Sequence, residues 1–286
     1  MQTILEILQK TTAYFEDKQV PKPKLDAEHL MAQALGCRRM DLYLQYGKPM
    51  TKAQLDTLRP WVRRRGQREP LQYILGHTPF VDADLLCKAG ALIPRPETEE
   101  MVDRATRKWA TLSDRPPQRI VDLGTGTGAI AISLALAFPE AQVVGADISR
   151  EALDLARQNA ERNGVSDRME WVRSSWWDEL EGEFDLVLSN PPYLTQKEVD
   201  ATEPEVAEYE PIQALLGRDM DGAGDFREII SGALEHVGMA SPFLIGLETG
   251  IAQHDTLTEF AHKAGWSSVE SEKDLDRRPR YLWISS

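Results

Sequence analysis

The spacing of apolar residues changes character twice along the chain. From residue 1 to about 70 it is helical: Ile4, Leu5, Leu8, Thr12 and Phe15 share one face, and Leu25, His29, Leu30 and Leu35 form a second stripe before Gly36. His29, in that apolar stripe, reads as a core residue. Thr51-Lys-Ala-Gln54 has the form of a capping box opening a helix through Leu55, Leu58 and Val62, with Pro60 as a candidate kink. This unit carries no catalytic constellation and reads as a substrate-docking or packing module over 1–70. Between 71 and 97 short apolar runs are broken by Gly76, Pro79, Gly90, Pro94 and Pro96, and Leu71 to Phe80 and Leu85 to Lys88 predict a hairpin connector. Pro94-Arg95-Pro96 is a rigid extended frame that presents Arg95 and Glu97 in fixed directions. It reads as a linker ahead of a helix over Glu100 to Ala110.

From Arg119 strand and helix patterns alternate through the last part of a 98–286 domain. The predicted strands are Ile120–Leu123, Val143–Ala146 ending at Asp147, Met169–Val172, Phe184–Leu188, Pro242–Leu247, Ser267–Glu272 and Arg280–Ile284. Helices are expected over Ala129–Phe138, Glu151–Asn163, Asp225–Val237 and Thr256–Ala264. Such alternation implies an α/β fold with a mostly parallel, doubly wound sheet and ligands at the C-terminal edges of its strands.

Two stretches at those edges carry candidate chemistry. The strand Phe184–Leu188 stops abruptly at Ser189-Asn190-Pro191-Pro192-Tyr193. Consecutive prolines fix φ and push the residues before them toward extended backbone, so the Asn190 carboxamide and its neighbouring carbonyls are held rigidly. The Asn190 side-chain oxygen and the Pro191 carbonyl could each accept one N–H of a planar NH2 group, with Tyr193 against its plane. A plain proline turn after a strand is the simpler alternative. Earlier, Gly124-Thr125-Gly126-Thr127-Gly128 lets the backbone turn tightly and approach a ligand, and Asp147 at the end of the next strand is positioned to accept both hydroxyls of a ribose. The same glycines satisfy a dinucleotide fingerprint. Asp122 argues against a pyrophosphate there and is suited to holding a cationic amino-acid ligand.

Size and composition narrow the partners. The 286 residues suit two domains, with 42% hydrophobic and 28% charged content typical of globular proteins. No apolar run reaches the roughly 18 residues of a membrane span, and the first ten residues lack a basic leader. Cys37 and Cys87 are far apart and form no metal pattern, which fits reduced thiols in a cytoplasm. Acids outnumber bases 46 to 33, a net charge of −13, which disfavours a nucleic-acid surface. Arg63-Arg64-Arg65 with Arg68 is the best candidate for a local basic patch, and a solvated helix end is its commoner meaning.

Asp122-Leu-Gly-Thr-Gly-Thr-Gly128, Asp147-Ile-Ser and Ser189-Asn-Pro-Pro-Tyr193 resemble the class I S-adenosylmethionine-dependent methyltransferases that modify planar nitrogen. Leu71-Gln-Tyr-Ile-Leu-Gly-His, Leu92-Ile-Pro-Arg-Pro-Glu-Thr-Glu99 and Glu210-Pro with Ala214-Leu215 narrow the resemblance, nearly end to end, to the release factor glutamine methyltransferases, the PrmC/HemK family. Ribosomal-protein glutamine methyltransferases carry Pro-Arg-Ser-Pro where this chain has Pro-Arg-Pro-Glu, so the release-factor branch is favoured. The resemblance implies a Rossmann-like class I methyltransferase fold with a small N-terminal helical domain. The implied reaction is methyl transfer from S-adenosyl-L-methionine to the glutamine amide in the Gly-Gly-Gln motif of class I release factors, with neither direct nucleic-acid contact nor a membrane. Gly124, Thr125, Gly126, Thr127 and Gly128 would line the methionine and ribose of the donor, Asp147 would bind the ribose, and Asn190, Pro191, Pro192 and Tyr193 would hold the substrate amide, with Asn190 also counted among the donor-binding residues. Trp176 is favoured to flank the adenine, with Trp177 the alternative because the loop length allows either. An adenine-amino nucleic-acid methyltransferase is the alternative enzyme, and a non-enzymatic nucleotide-binding module the alternative class. Where the family usually has a glycine before its final arginine, this chain has Asp274-Leu-Asp-Arg-Arg-Pro-Arg280.

Overall fold

The structure is a computed structural model and describes residues 2–238 and 242–286. The chain forms two units, one of residues up to Gly76 together with Glu203–Tyr209, the other of His77–Thr202 and Glu210–Ser286. Among the described residues no helix is long and apolar enough to cross a membrane. Cys37 and Cys87 are both free thiols.

In the first unit α1 (Ile4–Asp17) opens on a capping box between Thr3 and Glu6. Helix α2 (Pro23–Leu35) begins on a proline and stops at Gly36, whose φ of 63° suits a residue without a Cβ. The Thr51–Gln54 box opens α3 (Lys52–Gly66), which runs through Pro60, and α4 (Leu71–Leu75) follows. Ile4, Ile7, Leu8, Phe15, Leu30, Met31, Leu42 and Leu58 make its core. The buried faces are turned from those expected: Ile7 and Thr11 replace Leu5 and Thr12, while His29 is only half-buried beside the fully enclosed Leu30 and Met31. The cause lies in the neighbours, because Asp26 and Glu28 of α2 are drawn inward by arginines.

The basic run is consumed inside this unit. Arg65 donates to Asp26 at 2.7 Å and to Glu205 at 2.8 Å, Arg68 donates to Glu205 and Glu203, and Arg64 pairs with Glu69. Three of the four arginines are therefore neutralised by carboxylates, and the run forms neither a free basic patch nor a merely solvated helix end. The unit's boundary is also not a cut in sequence: a chain severed at residue 70 would leave Glu203 and Glu205 without the arginines that hold them.

The second unit begins with a hairpin of β1 (His77–Phe80) and β2 (Ala83–Leu86). Leu71–Leu75, expected to extend that hairpin, is helical instead, started by Pro70 and ended by Gly76 at φ 82°. Helix α5 (Pro96–Leu112) starts earlier than expected, with Pro96 in its first turn, so Glu97, Thr98 and Glu99 belong to a helix N-terminus and not to a linker. There follow β3 (Arg119–Leu123), α6 (Ala129–Ala137), β4 (Gln142–Asp147), α7 (Arg150–Arg162), β5 (Met169–Arg173) and β6 (Leu186–Ser189). Two one-turn helices come next, α8 (Gln196–Val199) and α9 (Pro204–Ala207), the latter within the first unit. The chain ends with α10 (Gly224–His236), β7 (Leu244–Glu248), α11 (His254–Ala264), β8 (Ser268–Lys273) and β9 (Pro279–Ser285).

The seven-stranded sheet has the order β5-β4-β3-β6-β7-β9-β8 and is parallel except for β9. Strands such as Leu186–Ser189 and Leu244–Glu248 are buried along their whole length, as expected for a parallel sheet covered on both faces. One apolar cluster, including Val143, Leu134 and Trp109, fills one side, and another, including Phe226, Ile230 and Trp266, fills the other.

The turn between β8 and β9 settles the conformation at the missing glycine. The Arg277 N–H donates to the Asp274 carbonyl and the Asp274 N–H to the Arg278 carbonyl, and Arg277 has φ 64°. This left-handed position of a hairpin turn favours glycine. Arg277→Gly is therefore expected to raise stability by about 0.5–1 kcal/mol, since it removes a strained backbone at an exposed side chain. A urea melt with an unchanged or lowered midpoint would refute the assignment of strain.

Candidate active site

The register of the sheet brings the candidate residues to one edge. Leu123 pairs with Ala146 on one side and with Ser189 on the other, and Ser189 pairs with Leu247. The next residues along these strands are Asp147, Gly124, Asn190 and Glu248, so four chemically distinct groups follow one another along the C-terminal edge. Between β3 and β6 the winding direction reverses, which opens a crevice there. A cavity of about 710 Å³ occupies it, lined among others by Thr98, Gly124, Gly126, Asp147, Trp176 and Asn190.

The glycine turn is built for close approach. Gly124 and Gly126 have φ of 73° and 56°, and the N–H groups of Gly124 and Thr125 both donate to the Ala146 carbonyl. Thr125 and Thr127 also line the cavity. Gly128 does not; at φ 82° it starts α6, and an added Cβ would lie 3.1 Å from the Ala156 methyl and 3.2 Å from the Trp171 ring. Its role is the close packing of helix on sheet. The Asn159 side chain braces the turn by donating to the Thr127 carbonyl and accepting from the Leu86 N–H.

Two carboxylates sit under and beside this turn. Asp147 accepts from the Gly126 N–H and the Ser149 N–H, each at 2.9 Å, so each oxygen keeps acceptor capacity. Burial raises its pKa, opposed by those two donors. Asp122 does not line the cavity as expected of a residue that contacts a ligand. It is fully buried, its Oδ2 accepting from the Thr125 hydroxyl and the Ala131 N–H while Oδ1 has no partner. Burial pushes its pKa up to about 7 against those hydrogen bonds. Its part is to brace the turn against the start of α6.

The two tryptophans separate. Trp176 lines the cavity with its backbone at φ 49°, its carbonyl accepting from the Ser174 hydroxyl and its indole N–H donating to Asp225. Trp177 is buried, stacks on His236 at 4.6 Å and donates to the Ile229 carbonyl. Asp225, read from the sequence only as the start of a helix, also accepts from the Arg218 backbone and side chain and so anchors the wall that carries Trp176. No local signal marks it, since its partners lie in other loops.

The proline turn is fixed at several points. Asn190 and Pro192 line the cavity, whereas Pro191 is buried and Tyr193 is outside the lining. The Tyr193 ring lies under the Arg280 guanidinium, its hydroxyl accepts from Arg280 and its carbonyl accepts from Gln253. Burial, with the charge of Glu248 next, raises the Tyr193 pKa to about 12. Behind Asn190, its Nδ2 donates to the Thr98 hydroxyl at 3.1 Å, and that hydroxyl donates to Glu248 at 2.7 Å. Burial raises the Glu248 pKa to about 7, opposed by the Thr98 bond and Arg280. Arg95 is held by Glu210 at 2.6 Å, which joins the Pro-Arg-Pro stretch to the Glu210-Pro stretch. Thr98 and Glu248 were missed because one was assigned to a linker and the other lies one residue beyond the apolar strand read as Pro242–Leu247, although the strand itself extends to Glu248.

Comparison with known proteins gives this geometry a family. Residues 6–76 match the PrmC N-terminal domain model and residues 98–208 the methyltransferase small domain model. A release factor glutamine methyltransferase of Rhodopirellula baltica is 37% identical over 284 residues, covering 98% of this chain and 95% of that one. The chain belongs to the release factor glutamine methyltransferase family. Another member, from Geobacter sulfurreducens, is 38% identical over 95% of this chain and 93% of its own length. Among solved structures, a methyltransferase from Pyrococcus furiosus matches with a TM-score of 0.51 at 19% identity, over 71% of this chain and 88% of that one, and agrees in fold. As a family member the protein is an enzyme, a methyltransferase of class I fold.

The buried Asp122 gives this site a pH signature. Its folded-state pKa of about 7 lies above the value of about 4 in an unfolded chain, so the folded protein binds the extra proton between those values. The contribution of Asp122 to stability is thus present below about pH 4 and is lost as pH rises toward 7. Asp122→Asn keeps acceptors for Thr125 and Ala131 and abolishes the titration. Its stability relative to the parent is expected to rise across that window, with a slope approaching about 1.4 kcal/mol per pH unit. Denaturant melts showing a pH-independent difference would remove the buried proton from this account.

Proposed function

We propose that the protein transfers a methyl group from S-adenosyl-L-methionine to the side-chain amide nitrogen of the glutamine in the Gly-Gly-Gln motif of a class I release factor. The observation that carries the reading is that Asn190 and residues Gly124 to Thr127 of the glycine turn open onto one cavity from adjacent strands. The cavity also fits the donor by its chemistry. Gly124 and Gly126 offer backbone without side chains, Asp147 retains lone pairs for two ribose hydroxyls, and Trp176 supplies an aromatic wall for the adenine. When bound, S-adenosylmethionine supplies an electrophilic methyl group on a sulfonium.

An amide nitrogen is a weak nucleophile because its lone pair is delocalised into the carbonyl. Asn190 Oδ1 and the Pro191 carbonyl accept the two N–H bonds of the substrate, which orients the nitrogen and increases its electron density. Pro191 and Pro192 keep these acceptors from relaxing, and Tyr193, tied to Arg280, holds the far end of the turn. Catalysis is assigned to positioning, with the amide proton leaving during or after transfer. A flipped adenine presents a similar NH2, but the arginines best suited to a nucleic-acid backbone are already paired with carboxylates.

Asn190→Ala is expected to leave donor affinity nearly unchanged in calorimetry and to reduce labelling of the release factor by about 10²-fold or more. A factor with the Gly-Gly-Gln glutamine changed to alanine should accept no label. Labelling of that altered factor, or of RNA in its place, would falsify the glutamine assignment. Asp147→Ala should instead weaken the donor by roughly 1.5–3 kcal/mol for each charged hydrogen bond lost, and an unaltered dissociation constant would exclude Asp147 from the donor site.

A further inference from the structure

We propose that Thr98 and Glu248 form a relay that sets the polarity of the Asn190 carboxamide, so that its oxygen and not its NH2 faces the substrate. This rests on the proposed glutamine methylation. The Asn190 carboxamide is nearly symmetric in shape and could present either end to the cavity, but only the oxygen can accept an amide N–H. An inverted carboxamide would set two N–H groups against each other. Something must choose the orientation.

The choice is made behind Asn190. A threonine hydroxyl has one proton to give, and here it is donated to Glu248 Oε2 at 2.7 Å. The oxygen of Thr98 is therefore left as an acceptor toward Asn190, and it receives the Asn190 Nδ2–H at 3.1 Å. Among the described residues no donor meets Asn190 Oδ1, which is thus the end left for the cavity. Ionised, as it is above its pKa of about 7, Glu248 can only accept, and in that state it fixes the direction of the whole chain of hydrogen bonds. Thr98 and Glu248 are 5% and 1% exposed, which shields the bond between them from water.

The scaffold supports this directionality. Thr98 lies in the first turn of α5, just after Pro96, and Tyr281, which pairs with Glu248 across β7 and β9, donates its hydroxyl to the Glu97 carbonyl in the same turn. The helix start is thereby tied to the strand that carries the carboxylate. Thr98 and Glu248 touch neither reacting atom and act as positioning residues through Asn190.

The test uses the full-length enzyme, S-adenosylmethionine and an intact release factor, with the unmutated enzyme measured first. If that enzyme fails to label the factor, the methylation reading is at fault; the relay is judged against an active parent. Thr98→Val keeps the shape of the side chain and removes the hydroxyl. Its kcat is expected to fall about 10–100-fold, while donor affinity by calorimetry and KM for the factor stay within about threefold. Thr98→Ser, which keeps the hydroxyl, should recover most of the lost kcat. An unchanged kcat in Thr98→Val, an equal loss in valine and serine variants, or a parallel loss of donor affinity would each overturn the relay. Should Thr98→Val fail to fold, Glu248→Gln decides: an amide that can donate or accept no longer fixes the direction, so kcat should fall with donor affinity retained, and a parental kcat would refute the proposal.

Discussion

The Ser189 hydroxyl donates to the Leu123 carbonyl at 2.6 Å, in a position closed to solvent, and ties together the two strand ends between which the winding of the sheet reverses. A parallel sheet has no turn to fix its register, so that register depends on burial of both faces and on bonds of this kind. With Leu123 opposite Ser189, the glycine turn and the proline turn must leave the sheet side by side. A slip of one residue would send Asn190 to the opposite face of its strand and detach it from both Thr98 and the cavity.

Around this crevice the fold places polar groups where burial is costly and then satisfies most of them locally. Asn159 joins the Thr127 carbonyl to the β1–β2 hairpin, Asp122 joins the glycine turn to α6, and Asp225 joins Trp176 to Arg218. The Asn159 and Asp225 bridges join elements far apart in sequence, whereas Asp122 ties the turn to the helix that directly follows it. The effect is a rim whose loops are held by several independent bonds, which is what a reaction catalysed by positioning requires. Among the described residues the buried side-chain atoms left without a partner are two carboxylate oxygens, Asp122 Oδ1 and Glu210 Oε2, together with Ser133 Oγ and Arg280 Nε.

Charge follows the same rule in the first unit. A net charge of −13 leaves acids in excess, and Arg64, Arg65 and Arg68 are used to draw carboxylates together. Arg65 is 4% exposed and would be costly there without Asp26 and Glu205 on either side. Through Glu205 the pairing also recruits Glu203–Tyr209 into a unit otherwise made from the start of the chain.

The sequence by itself determined the order of strands and helices from Arg119 onward, the glycine turn, Asp147 at its strand end and the stiff Asn190 turn. These are local matters of periodicity, φ restriction and breaker residues, which a chain carries residue by residue. It also led, by resemblance of motifs, to the methyltransferase family. Tertiary structure decided whatever depends on which distant groups meet. The choice between Trp176 and Trp177 was open to loop length but not to packing, because only one ring can fill the core against His236 while the other turns to the cavity. The helical state of Leu71–Leu75 and the early start of α5 rest on short segments whose periodicity is too brief to read. Thr98 finds Glu248 150 residues away, and Arg65 finds Glu205 140 away. Pairings of that kind are fixed by the closing of the sheet and the packing of helices upon it, and the order of residues along the chain does not contain them.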